Sequence, residues 1–243
     1  MLHYVRQGAG KTIVLVHGFL AGADTFQALM DDLAVHFDVI AVDLPGHGKS
    51  EVEVDAYTVE SYAQAVIEVL KKENVKEAYW LGHSMGGYIV LTALAEQLFP
   101  IPKAILLHSA VNADHEEAKQ KRTNQQLSIK RDGVVQFVED VVPNFLSAKS
   151  SPKLTEQAIT VAKQASIDGL VAALEAMKSR PARQTFIDET TTPILVIEGV
   201  DDKIVPKIET ANSAITKAQV DSGHLGMIED LDGVLQAIYN FLK

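Results

Sequence analysis

Five short runs of nearly continuous apolar residues constrain this chain more than any other feature. They are Thr12–Val16 (TIVLV), Asp38–Val42 (DVIAV), Ala78–Leu81 (AYWL), Ala104–Leu107 (AILL) and Ile194–Ile197 (ILVI). A strand with one wet face alternates apolar and polar residues. An unbroken apolar run fits burial on both faces, the mark of a parallel sheet covered by helices on each side. Leu2–Arg6 and Lys217–Val220 are weaker strands, expected nearer the sheet edges. Helical periods lie between the strands, at about 25–35, 59–73, 85–98, 206–215 and 231–242. This repetition predicts an α/β fold, a mostly parallel central sheet with helices on both faces.

The alternation fails once. From about 112 to 185 there is only helical periodicity, rich in Lys, Glu and Gln. Val134, Val135, Val138, Val141, Val142 and Phe145 follow the spacing of an amphipathic helix, and further helical patterns cover about 153–164 and 167–179. The block interrupts the sheet between two strands. It is therefore expected to be a helical cap, residues 112–185, inserted in a single core formed by 1–111 and 186–243.

Composition narrows the partners. The 243 residues include no cysteine, which excludes disulfides, zinc–thiolate sites, iron–sulfur clusters and a cysteine nucleophile. A net charge of −10 argues against nucleic acid, whose binding needs clustered cations to release counterions. No run approaches the roughly 20 apolar residues that cross a bilayer, so no membrane partner is expected. The first residues lack the basic and apolar regions of a signal peptide, and neither end carries a lipidation motif. The expectation is a cytoplasmic protein; its oligomeric state is not legible.

Gly82-His83-Ser84-Met85-Gly86 fits G-x-S-x-G, and it stands between a strand and a helical period. A nucleophile at such a sharp strand–turn–helix elbow is held in strained geometry, and small residues two before and two after it keep neighbouring chain from clashing. Its hydroxyl would lie beside the N-terminus of a helix, whose N–H groups favour developing negative charge. A serine hydroxyl needs a base, itself oriented by an acid; in folds that carry the nucleophile on such an elbow the three run Ser, Asp or Glu, His along the chain. Of the eight histidines only His115 and His224 lie well after Ser84 and its helix. His115 sits in a polar stretch and reads as a surface residue. His224 follows the last strand, in Asp221-Ser222-Gly223-His224, where a loop presents a base. Asp201 and Asp202, past the preceding strand, both reach such a base, and spacing does not separate them.

These residues together resemble the α/β-hydrolase fold family, close to esterase-like serine hydrolases with a helical cap. The match runs nearly end to end: His17-Gly18-Phe19, Asp43-Leu44-Pro45-Gly46-His47-Gly48-Lys49-Ser50, the Gly82–Gly87 elbow, the run from Gly199 to Pro206, and Gly223-His224. The resemblance puts the acid on Asp202 and leaves Asp201 at the surface. It implies an oxyanion hole of two backbone N–H groups, from Phe19 and Met85. It also implies a cofactor-free carboxylic ester hydrolase that forms an acyl-enzyme on Ser84. The expected partner is a small-molecule ester with an apolar part. Related proteins with this triad cleave carbon–carbon bonds, open lactones, or eliminate a leaving group in menaquinone synthesis. An arginine usual in that last group, after the double glycine, is Tyr88 here. A ligand-binding receptor with a vestigial triad is the alternative from another class.

Other features carry less. Gly48-Lys49-Ser50 ends like a phosphate-binding loop, but the required first glycine falls on Asp43, whose carboxylate would repel phosphate. Asp31-Asp32 and His115-Glu116-Glu117 lack metal-site spacing, so no metal is expected. His108, just past a strand, is a candidate pocket residue, and Trp80 reads as core.

Overall fold

The computed structural model describes residues 1–52 and 57–243. Seven strands form one sheet: β1 (Tyr4–Gly8), β2 (Thr12–Val16), β3 (Asp38–Val42), β4 (Tyr79–His83), β5 (Ala104–Leu107), β6 (Ile194–Gly199) and β7 (Ile215–Val220). Their order is β1-β3-β2-β4-β5-β6-β7; only β1 is antiparallel to its neighbour. β2, β3 and β5 fall on the predicted apolar runs, and their continuous hydrophobicity has the predicted cause. Ile13–Val16, Val39–Val42 and Ala104–Leu107 are wholly shielded from solvent. The two weak strands lie at the two edges.

The chain leaves β2 in one direction, through α1 (Gln27–Leu33) to β3. It then crosses by α2 (Val59–Lys72) to β4, on the other side of β2, and continues outward through α3 (Met85–Ala95) to β5. Right-handed crossovers of opposite sense put helices on opposite faces. Accordingly α2 packs on α3, while α1 packs on the C-terminal helix α9 (Leu231–Leu242). The loops after β2 and β4 therefore diverge at a topological switch point, where α/β sheets form a crevice beyond the strand ends. α3 is buried from Met85 to Ala93, which explains why that stretch is apolar all round rather than striped.

Between β5 and β6 lie four helices and no strand: α4 (Glu116–Val141), α5 (Pro152–Ala162), α6 (Ile167–Ser179) and α7 (Gln184–Glu189). Gly133, at φ 83°, breaks α4 in two. The valine pattern begins in the second half and passes at Val142–Phe145 into a 3-10 turn, where Pro143 stands; Val138 and Val142 are buried while Val135 is exposed. Among the described residues no helix is long and apolar enough to cross a membrane.

One expectation fails. Residues 206–215 form no helix; they run irregularly into β7. Local side-chain bonds compete with the helix here. The Asn212 carboxamide donates to the Ile187 and Thr190 carbonyls at 2.8 Å each, and its oxygen accepts the Ala214 N–H at 2.9 Å. Glu198 accepts the Ile208 N–H at 2.8 Å. A short helix, α8 (Gly226–Glu229), follows β7 and has no counterpart among the helical periods.

Candidate active site

The turn between β4 and α3 holds Ser84 at φ 50°, ψ −114°, a backbone state that L-residues rarely adopt. Close packing dictates the flanking glycines. A Cβ on Gly86 would stand 2.1 Å from the Val16 carbonyl oxygen, and one on Gly82 would stand 2.4 Å from the Gly86 carbonyl carbon. The turn is pinned from β5 as well, since the Ser109 hydroxyl donates to the Ser84 carbonyl at 2.8 Å.

The structure brings Ser84, His224 and Asp202 together. His224 Nε2 lies 2.8 Å from Ser84 Oγ, and its Nδ1 lies 2.9 Å from Asp202 Oδ2. Asp201 turns away: its carboxylate accepts the Ser147 hydroxyl at 2.9 Å and pairs with Lys149. Burial alone would raise the Asp202 carboxyl, yet hydrogen bonds from His108 and His224 hold it well below the usual carboxylate range. The ring Nδ1–Oδ2 bond leaves Nε2 facing the serine hydroxyl, the arrangement a base requires.

The loop carrying His224 is tied down by residues the sequence did not single out. Glu229 accepts the N–H groups of Gly223 and Leu225, on either side of His224, at 3.1 Å each. The same carboxylate accepts the Ser147 N–H at 2.7 Å and the Ser150 hydroxyl at 2.6 Å, so it binds the helical block to the histidine loop. The His224 N–H itself donates to the Phe145 carbonyl.

His108 does not line the cavity. It is buried behind Asp202, 3.3 Å from its Oδ2, with Nε2 accepting the Gly226 N–H at 3.2 Å. Tyr88 does line the cavity, Trp80 is core, and His115 is exposed and caps α4, accepting the Ala118 N–H at 3.3 Å. Asp43 accepts N–H groups from Ala23 and Lys49 and pairs with His3; these contacts occupy both oxygens. Among the described residues no group of three or more His, Asp or Glu is gathered as a metal site.

Above Ser84 and His224 lies a cavity of about 760 Å³. Phe19, Phe145, Val141, Val205 and Met177 supply apolar wall. Phe19 follows β2 and meets Phe137 of α4 edge to face, with ring centroids 6.3 Å apart. The Phe19 N–H donates to no described residue, and the Met85 N–H opens α3, where the Ser84 side chain makes no capping bond. Two backbone donors thus flank the serine without partners of their own.

A family described as alpha/beta hydrolase fold matches residues 11–231. The chain is 27% identical over 213 residues to the pimeloyl-[acyl-carrier protein] methyl ester esterase of Vibrio vulnificus (strain CMCP6), covering 84% of this chain and 81% of that protein. It is 40% identical over 109 residues to the uncharacterized hydrolase YugF of Bacillus subtilis (strain 168), a stretch that spans 44% of this chain and 40% of YugF. Among solved structures, a thermophilic esterase from Thermogutta terrifontis, with malate bound, superposes with a TM-score of 0.90 at 25% identity. That match covers 99% of this chain and 92% of the esterase.

Proposed function

The chain belongs to the alpha/beta hydrolase fold family, and on that premise we propose that it is a serine hydrolase cleaving carboxylic esters through an acyl-enzyme. The observation that carries the reading is the relay Ser84 Oγ–His224–Asp202, at 2.8 and 2.9 Å, opening on the cavity. Ser84 attacks the carbonyl carbon while His224 Nε2 takes the hydroxyl proton. Asp202 holds the ring and balances the imidazolium charge. The Phe19 and Met85 N–H groups bind the oxyanion; one such donor is typically worth about 10²–10³ in rate. The tetrahedral intermediate collapses, His224 gives its proton to the leaving alkoxide, and water, deprotonated by the same histidine, releases the acid.

Residues 112–185 act as a cap in this scheme, closing the cavity over the serine and shaping a pocket for a small-molecule ester. The Vibrio and Thermogutta relatives, both esterases by name, support the ester-cleavage reading.

The test is hydrolysis of p-nitrophenyl esters of graded acyl length by the wild type and Ser84→Ala. Turnover that disappears in the variant supports the reading, and the optimum length measures the pocket. No turnover, together with no labelling of Ser84 by a fluorophosphonate, refutes it and favours a ligand-binding protein.

A further inference from the structure

The cavity wall farthest from apolar character is built from α4, α6 and the loop after β5. Asp114, buried in that loop, pairs with two guanidinium groups: Arg122, through Nε and Nη2, and Arg180, through Nη1 at 2.7 Å. Arg180 is itself only 8% exposed and stacks on the Tyr88 ring, its Cζ 4.2 Å from the centroid. Its Nε and Nη1 are held by the Asn112 and Met177 carbonyls at 3.1 and 2.7 Å. Its Nη2 has no hydrogen-bond partner among the described residues, and the Arg122 Nη1 touches only the Met177 sulfur, at 3.4 Å.

A single carboxylate against two guanidiniums leaves a net positive charge, and Lys121 adds another cation to the same wall. This stands out in a chain of net charge −10. A low-dielectric cavity lined by one sign of charge concentrates ions of the other sign. Tying α4 and the end of α6 to the loop after β5 needs only the Asp114 pairs; it does not need further guanidinium donors on the cavity wall. Tyr88 lies one helical turn beyond Ser84, about 6 Å along α3, so an anion on Arg180 lies within the reach of one small molecule.

We propose that Arg180 and Arg122 bind a carboxylate on the substrate, so that the preferred esters are half-esters of short dicarboxylic acids. A carboxylate seated here would take one charge-assisted hydrogen bond from Arg180 Nη2 and one from Arg122 Nη1. The stacking on Tyr88 and the bonds to Asn112, Met177 and Asp114 fix the Arg180 donor before the substrate arrives. This inference rests on the ester-hydrolase reading for its chemistry, but the binding site stands on its own contacts.

The experiment measures kcat/KM for p-nitrophenyl half-esters of succinate, glutarate and adipate against neutral acyl esters of equal length. The expected preference for the anionic member is on the order of tenfold to a hundredfold, the range carried by a hydrogen bond to a charged group. In Arg180→Gln and Arg122→Gln the ratio falls towards one, and Arg180→Lys recovers only part of it. A ratio taken within one sample is independent of how much of a variant is folded. A wild-type preference below twofold, or one that survives in both glutamine variants, overturns the proposal. If no ester turns over and Ser84 takes no fluorophosphonate label, the hydrolase reading fails separately. Calorimetric titration of the wild type and Arg180→Gln with adipate then decides the site: binding lost in the variant sustains it, and no binding to the wild type overturns it.

Discussion

Acidification from pH 7.5 to 5.0 should cost this protein a large share of its stability, because four histidines are buried in rings that have no room for a second proton. His17, His47, His83 and His108 are each no more than 1% exposed. His47 Nδ1 bonds the Pro45 carbonyl at 3.1 Å and His83 Nε2 bonds the His224 carbonyl at 2.8 Å. In both rings the other nitrogen is buried without a partner. His17 Nε2 accepts the Leu44 N–H at 2.9 Å, which a protonated ring would repel. Burial pushes His47 down to about 3 and His83 well below its ordinary value, and it lowers His17 and His108 as well. The folded values lie below the unfolded one, so the unfolded chain takes up more protons and stability is lost as pH falls through about 6.5. Each excess proton is worth about 1.4 kcal/mol per pH unit. His47 and His83 give a slope of about 2.7 kcal/mol per unit. Between pH 7.5 and 5.0 their loss is roughly 4 kcal/mol, against a typical total of about 5–15. Urea unfolding at half-unit steps of pH, followed by the single buried Trp80, reads the slope directly. A slope below one proton between pH 5 and 6, or one that His47→Gln does not reduce by about one proton, would refute the reasoning.

Three further outcomes follow from the site. Asp202→Asn should lower kcat by about three to four orders of magnitude through loss of ring orientation. Because the folded Asp202 value is depressed, its stabilisation is present above about pH 4 and lost below it, so the variant should lack that part of the wild type's acid limb in unfolding titrations. Ser84→Gly should abolish activity yet raise stability by about 1 kcal/mol, since glycine relieves a strained turn; an unchanged or lower unfolding free energy would count against strain at φ 50°. Glu229→Ala should cut kcat about tenfold and destabilise by about 1–3 kcal/mol, through unpairing of the N–H groups beside His224. Kinetics indistinguishable from wild type would show that the histidine loop holds its place without it.

The sheet was legible because burial on both faces writes itself as unbroken apolar runs, as in Thr12–Val16. The elbow was legible because close packing admits only glycine at 82 and 86, whatever the rest of the chain does. Asp202 was not separable from Asp201 by spacing, since adjacent loop residues differ only in direction. That direction is set by Ile204, whose N–H holds Asp202 Oδ1 at 2.8 Å, and by Ser147 and Lys149 on Asp201. The failed helix at 206–215 shows the same limit from the other side. Its periodicity was adequate, but Asn212 and Glu198 found better partners across the fold. Glu229, Arg122 and Arg180 gave no signal because charged residues on helical segments usually face water. A weak one was available for His108, which stands just past the strand end beside the elbow.

The division of labour between core and helical block has a physical origin. Phe19 and Ser84 follow β2 and β4, the two adjacent strands at which the crossovers diverge, so sheet topology alone brings the backbone donors and the hydroxyl together. Nothing in the sheet, however, offers cations to that crevice. Arg122 comes from α4 and Arg180 from the end of α6; Asp114, in the loop after β5, orients both, and Tyr88 of α3 orients Arg180. The proposed reacting centre is therefore fixed by elements whose movement would unfold the sheet. The cations facing it are fixed by a few pairs that a small change in the helices can re-aim. Substitutions in α4 and α6 should consequently shift the ranking of substrates far more than they shift labelling of Ser84 by a fluorophosphonate, which needs only the elbow and its base. Equal losses of both across a set of such variants would mean that the helical block also holds the reacting centre in shape, through the Phe145 and Glu229 contacts to the His224 loop.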